Sequence, residues 1–249
     1  MKNANNLKKS LIGAALAAAL LSTTVVASAV PQYAINIKGT GAYAGAGLTC
    51  NDEAACDLDA PGGVGSLSVK TNSSTGFPTI PGFTTFNTQS SFNNAPGGPE
   101  FSLLDLVWQL SALSTTGGTI TITASATDYT FPGAGTLSTL HSHIGGTNSK
   151  STVTAQTWVN NSNTLFGEGP ITWGSQGPFS GNGSFSDDIE KQFVAATPFS
   201  ITQKLIITVA AGGSSTGNFE TKVVPEPASL ALLGLGLLAA GAARRRKAK

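Results

Sequence analysis

Two histidines, His141 and His143, stand one residue apart and are the only histidines in the chain. On a strand, positions i and i+2 share a face, so both rings can reach one metal ion. A site needs a further ligand. There is no third histidine, and no Asp or Glu stands close by in sequence. The pair therefore reads as a polar strand end or turn. Asn51-Asp52-Glu53 with Asp57 and Asp59 forms an acidic cluster around two cysteines. Calcium takes several oxygens from one tight loop, but the EF-hand spacing and its Gly are missing here. A solvated acidic loop is the expectation, and the same holds for Asp187-Asp188-Ile189-Glu190.

The remaining chemical motifs fail on context. Gly213-Ser214-Ser215-Thr216-Gly217 has the letters of a nucleophile elbow, which requires a strand-turn-helix. Its flanks read as strands. Gly39-Thr40-Gly41-Ala42-Tyr43-Ala44 has dinucleotide-loop letters with no helix pattern after it. No catalytic group, cofactor site or metal site is expected, and the chain does not read as an enzyme. Thr119, Thr121 and Thr123 give one threonine-bearing strand face. Ice-binding surfaces use regular threonine arrays, and one strand is not an array. Threonines opposite buried isoleucines are ordinary sheet chemistry. Trp108, Trp158 and Trp173 can stack on sugar rings or serve as core, the second being the stronger reading for Trp108 and Trp158.

Cys50 and Cys56 are the only cysteines. An even count in an exported chain points to a disulfide, with free thiols or metal ligation as the alternatives. Two thiols with no nearby His make a poor zinc site.

The elements that must position these residues read as β structure. Charged residues make up 11% of the 249 residues, against about 25% in typical soluble domains. Between Val30 and Pro225 there are 6 Lys and no Arg against 12 Asp or Glu, so this body is near −6. That balance argues against nucleic-acid binding, which needs a basic face. Alternating runs occur at Tyr33 to Lys38, Leu67 to Lys70, Thr119 to Thr123 and Thr152 to Val159. Leu103 to Leu110 is apolar on both faces and reads as a central strand, with a short helix as the alternative. Ile201 to Val209 and Asn218 to Val223 read as a hairpin joined by a flexible loop from Gly212 to Gly217. The segment from Asn72 to Glu100 is rich in Pro, Gly, Asn, Ser and Thr and reads as a long irregular excursion. The fold class is all-β: an antiparallel β-sandwich over residues 30–224.

The two ends are a different material. Lys2, Lys8 and Lys9 precede an apolar stretch from Leu11 to Val26, followed by Ala27-Ser28-Ala29. This is the pattern of a secretory signal helix over residues 1–29, cleaved after Ala29 by signal peptidase. A second apolar run spans Ala228 to Ala243 and includes Leu230, Leu232, Leu233, Leu235, Leu237 and Leu238. At about 1.5 Å per residue it is just long enough for a transmembrane helix. The cluster Arg244-Arg245-Arg246-Lys247 follows it and holds that end in the cytoplasm. Val224-Pro225-Glu226-Pro227 stands before the run, and its prolines favour an extended, accessible peptide.

Pro225-Glu226-Pro227, an apolar helix and Arg244-Arg245-Arg246 in that order resemble the PEP-CTERM sorting signal, over residues 225–249. The same tail is also described as an ice-binding protein C-terminal domain, a label for the tail and not the body. The resemblance implies recognition by an exosortase, a membrane-embedded cysteine protease-transpeptidase. It implies a transient membrane anchor, removal of the tail, and release or attachment at the cell surface. The family association is with exopolysaccharide and biofilm. The body is similar to uncharacterised PEP-CTERM proteins in Leu103 to Leu110, Gly118 to Ile122, Gly145-Gly146-Thr147 and Thr197 to Gln203. The expected function is that of an exported surface or matrix protein, with a carbohydrate-binding module as the alternative.

Overall fold

A computed structural model describes residues 32–44, 47–58, 66–70, 82–93, 102–130, 133–169, 171–172, 174–194 and 196–225. The chain divides into two units, Met1–Val30 and Pro31–Lys249, and the first lies wholly outside the described residues. So do the signal cleavage site, Glu226, Pro227, the second apolar run and the basic cluster. Among the described residues no helix is long and apolar enough to cross a membrane.

The described part of the second unit is all-β and antiparallel, as the alternating runs predict. Its strands are β1 (Tyr33–Gly41), β2 (Gly47–Asn51), β3 (Ser66–Lys70), β4 (Phe83–Asn93), β5 (Ser102–Ala112), β6 (Gly118–Tyr129), β7 (Leu137–Asn160), β8 (Ile171–Thr172), β9 (Gln176–Val194) and β10 (Phe199–Pro225). They form one sheet folded over on itself. The fold lies in three long strands. β10 pairs with β7 through Val209↔Ser151, shifts register, and resumes at Ser214↔Ser149. β9 follows β7 through the same shift, between Ser151↔Gly181 and Asn148↔Gly183. Each long strand has a residue in the left-handed region at the bend: Lys150 (φ 52°), Gly181 (φ 103°) and Gly212 (φ 66°). Glycine takes that conformation without steric cost; Lys150 is fixed there by a 2.8 Å bond from its N–H to Asn182 Oδ1.

The bend creates two facing layers. The first runs β2-β1-β6, then the first half of β10 and the second half of β7. The second runs β3-β4-β5, then the second half of β10 and the first half of β7. Isoleucines of β1, β6 and β10 fill the space from one side, and Leu104, Leu106, Trp108, Leu110 and Phe219 from the other. Trp108 sits opposite Gly217 in register, and a Cβ on Gly217 would collide with the indole.

A hydrogen-bonded polar seam crosses this apolar interior. Gln203 Nε2 shares its two N–H groups among Leu104 O (3.1 Å), Phe219 O (2.8 Å) and Thr221 Oγ1 (2.8 Å), tying the layers together. The chain continues from Thr221 to Thr157 (3.1 Å), Ser142 (3.2 Å) and Gln176 Oε1 (3.0 Å). All five side chains are buried. Buried polar groups are tolerated when bonded, and here the bonding is between layers, with Gln203 Oε1 buried and left without a partner.

Two expectations are corrected. Ile201 to Val209 and Asn218 to Val223 are not the arms of a hairpin. They are halves of one strand, β10, lying in different layers and both paired with β7. The Gly212-Gly213 segment bends the strand and does not reverse it. The excursion from Asn72 to Glu100 contains strand β4. Its inward face is Phe86, Thr88 and Ser90, two of them polar, which hides the alternation from a hydropathy reading. Their hydroxyls bond Val107 O (3.2 Å) and Asp105 O of β5. Leu103 to Leu110 is strand and not helix, and it is central, between β4 and β10.

Candidate functional site

The outer face of the first layer carries a groove of about 450 Å³. Its floor is built from three strands in register: Asn36 beside Thr123 beside Lys204, and Lys38 beside Thr121. Its wall is the segment after β7, which brings Phe166 and Glu168 over the sheet. That segment is pinned. Asp128 N–H donates to Asn163 Oδ1 (2.8 Å), and Asn163 Nδ2 donates back to Asp128 Oδ1 (2.7 Å). Ser200 Oγ donates to Thr164 O (2.9 Å), and Phe166 N–H donates to Ser125 Oγ (2.9 Å). Lys204 reaches Glu168 at 2.9 Å and lies 5.6 Å from the Trp158 ring centre.

Phe166 has φ 57°. A bulky residue in the left-handed region costs roughly 1–3 kcal/mol and persists only where its surroundings over-determine it. Here the constraint sets an aromatic side chain at the edge of a polar floor. Threonine and asparagine groups, one amine at Lys38 and an aromatic edge make a surface that can bond hydroxyls and stack on an apolar sugar face.

The threonine face of β6 extends sideways. Thr40, Thr119, Thr208 and Thr152 are register neighbours on β1, β6, β10 and β7. Some of these hydroxyls are used internally: Thr119 meets Thr208 at 2.9 Å, and Thr152 meets Ser180 at 3.1 Å.

The outer face of the second layer holds the histidines. Both lie within β7 on one face, and not at a strand end or turn. Acidic partners do stand near in space, supplied by β9: His141 Nδ1 meets Glu190 at 2.8 Å and His143 Nδ1 meets Asp188 at 2.8 Å. In register, His143 neighbours Glu220, which neighbours Asp105. Lys222 bonds Glu220 at 3.0 Å. Burial holds the Asp105 carboxyl above its ordinary value, and the Glu220 carboxylate adds to this. No group of three or more His, Cys, Asp or Glu that could hold a metal occurs among the described residues.

Cys50 and Cys56 form a disulfide, with Cα atoms 5.7 Å apart. Asp57 beside it is buried, its oxygens accepting from Ser68 N–H (3.0 Å) and Glu53 N–H (3.3 Å). It therefore ties backbone across the loop. Asp59 lies outside the described residues. Ser214 and Ser215 lie in β10 with strand on both sides, and Ser215 Oγ accepts from Trp108 Nε1 (3.0 Å). Gly39 lies in β1, where a Cβ would collide with Tyr43. Trp108 and Trp158 are buried, at 1% and 4% exposure; Trp108 belongs to the hydrophobic core, Trp158 lies beneath Lys204 outside it, and Trp173 lies outside the described residues. Phe166, the aromatic group that is placed for contact, carries no sequence signal. It follows β7 in an irregular segment, and its partners come from β1, β6 and β10.

Pro225 of the tail motif is the last residue of β10, in register with Ser138. The last strand thus reaches one residue into the stretch assigned to the sorting signal.

Solved structures resemble this fold only distantly. A carbohydrate-binding module, TmCBM61, in complex with beta-1,4-galactotriose, matches over 58% of this chain and 91% of its own, at 6% identity and a TM-score of 0.31. The CBM22-1 xylan-binding domain of Paenibacillus barcinonensis Xyn10C matches over 65% and 95%, at 8% identity and 0.22. Tailspike protein 4 of bacteriophage CBA120, in its enzymatically active domain, matches over 51% and 16%, at 13% identity and 0.26. At these scores none of them carries an argument about function. No curated protein matches the chain. The tail is specific: residues 223–247 match the PEP-CTERM protein-sorting motif, which implies export and membrane-associated sorting through an exosortase.

Proposed function

We propose that the chain is a structural or interaction component of the cell surface or extracellular matrix, in contact there with exopolysaccharide. The signal helix directs export, and signal peptidase removes it after Ala29. The run beginning at Ala228 serves as a transient anchor, with Arg244 to Lys247 on the cytoplasmic side. Exosortase then cuts near Pro225-Glu226-Pro227. The observation that carries this reading is the match of residues 223–247 to the sorting motif. Deleting residues 228–249 should release the body without any dwell in the membrane fraction. Unchanged membrane association of the truncated protein would contradict the reading.

One observation favours a second reading within the same setting, that of a carbohydrate-binding module. The groove over β1, β6 and β10 presents hydroxyl, amide and amine groups under a fixed aromatic wall. In this reading Phe166 stacks on a sugar ring, while Asn36, Lys38 and Thr121 bond its hydroxyls. Retention on the organism's own exopolysaccharide should fall about tenfold or more for Phe166→Ala, as for loss of a stacking contact worth over about 1.4 kcal/mol. Equal retention of the two proteins would leave the structural role without a glycan site.

A further inference from the structure

We propose that, before the tail is removed, the end of the sandwich where β10 stops lies in the headgroup layer of the membrane, with Leu137 and Val194 toward lipid. The inference rests on the sorting reading, in which the run from Ala228 occupies the bilayer.

The chain between the sheet and the apolar run is short. Pro225 is held in the sheet, in register with Ser138, whose side chain is fully buried. Ala228 comes three residues later. Whatever its conformation, a three-residue connection reaches at most about 11 Å. The polar layer on each side of a bilayer's hydrocarbon core is about 5–8 Å deep. Even fully extended, the connection leaves Pro225 no more than about 3–6 Å beyond that layer, so the folded body is held at the surface. A flexible stalk, which would let the body float free, has no residues to be made from.

That end also exposes aliphatic side chains. Leu137 is the residue next to Ser138, and its cross-strand partner is Val194. They are 47% and 56% exposed. Two large aliphatic side chains paired on an outer face, within one residue of the point where the chain leaves for lipid, are placed to bury apolar surface there. The bend at the other end of the fold, at Gly212, lies 13 residues up β10 from Pro225, roughly 43 Å away at strand rise. Ala210, exposed at that bend, is the natural distance control.

The arrangement also constrains processing. An enzyme cutting near Pro225 meets a folded sheet immediately on the body side of its substrate. Val223 is the last residue of β10 paired to both neighbours, while Val224 and Pro225 pair with β7 alone.

The test uses the full-length chain reconstituted in vesicles of phosphatidylcholine and phosphatidylglycerol containing a quencher lipid. Single variants Val194→Cys, Ala210→Cys and Leu235→Cys carry an environment-sensitive fluorophore, with the Cys50–Cys56 bridge kept oxidised and unreactive. The expected result is severalfold quenching at positions 194 and 235 and none at 210. Quenching at 235 with position 194 as bright as 210 would overturn the docking while leaving the sorting reading intact. No quenching at 235 would overturn the sorting reading, and the docking with it.

Discussion

The two outer faces of the folded sheet share three long strands and differ in what they do with their polar groups. On the second layer, the titratable side chains already have partners on the same face. His141 and His143 of β7 each take a carboxylate from β9, and Lys222 takes Glu220. All of these groups are at least partly exposed, so each pair contributes only about 0–1 kcal/mol. On the first layer, a segment pinned by Asn163, Ser200 and Ser125 lays Phe166 over a floor of unlike polar groups. Lys38 has no ion-pair partner there among the described residues. The difference teaches that a recognisable cluster of titratable residues can be self-satisfied. The better candidate for binding is the face where Lys38 stands without an ion-pair partner, although Lys204 there is paired with Glu168 and Asn36 with Thr49.

Substitutions in the interior and on the two faces should differ in size and in what they disturb. Gln203→Ala removes the side chain that ties both layers, leaving two carbonyls and Thr221 without its donor. It should cost about 3 kcal/mol and disturb both faces alike, read as a lower urea midpoint. Intact stability would show that the seam does not hold the layers.

Cys56→Ser opens a closed loop of seven residues at the edge of the first layer and should cost about 2 kcal/mol. Its thermal midpoint should fall, while glycan retention per folded molecule is unchanged; a parallel loss of retention would tie the groove to that edge.

Asn163→Ala breaks the reciprocal pair with Asp128 and should cost about 1 kcal/mol. Unlike the two changes above, it should weaken glycan retention beyond the loss of folded protein, because it frees the wall that carries Phe166.

The smallest effect has the opposite sign and lies on the second layer. The folded Asp105 carboxyl is held above its ordinary value by burial and by Glu220. Between the ordinary value and the raised one, the folded chain keeps a proton that the unfolded chain has lost, so stability falls as pH rises through that window. Above the raised value the loss is fully present. Asp105→Asn should therefore raise the urea midpoint at pH 7, and the gain should vanish below the ordinary carboxylate range. A gain that is constant with pH would remove the electrostatic explanation.

Much of the sheet was legible because its inward faces are apolar. Ile35 and Ile37 of β1, Ile120 and Ile122 of β6, and Leu205 and Ile207 of β10 announce strands by alternation. The strands that were missed bury polar groups instead. β4 turns Thr88 and Ser90 inward, and the first half of β7 turns Ser138 and Ser142 inward. β9 is largely exposed, with Phe193 its buried hydrophobic residue. The acidic partners of the histidines were 45 and 49 residues away in sequence and adjacent in register. The groove was not legible at all, since Asn36, Thr121, Phe166 and Lys204 meet only after β10 has folded between β6 and β7. The sorting tail needed no fold to be read, because its information lies in the order of the proline pair, the apolar run and the basic cluster.

The most direct measurement is the intact mass of the mature protein taken from the cell surface of its own organism. The account requires a chain that begins at Val30, carries the Cys50–Cys56 bridge and ends close to Pro225-Glu226-Pro227, with residues 228–249 gone. A surface protein that retains Leu230 to Lys249 would contradict it.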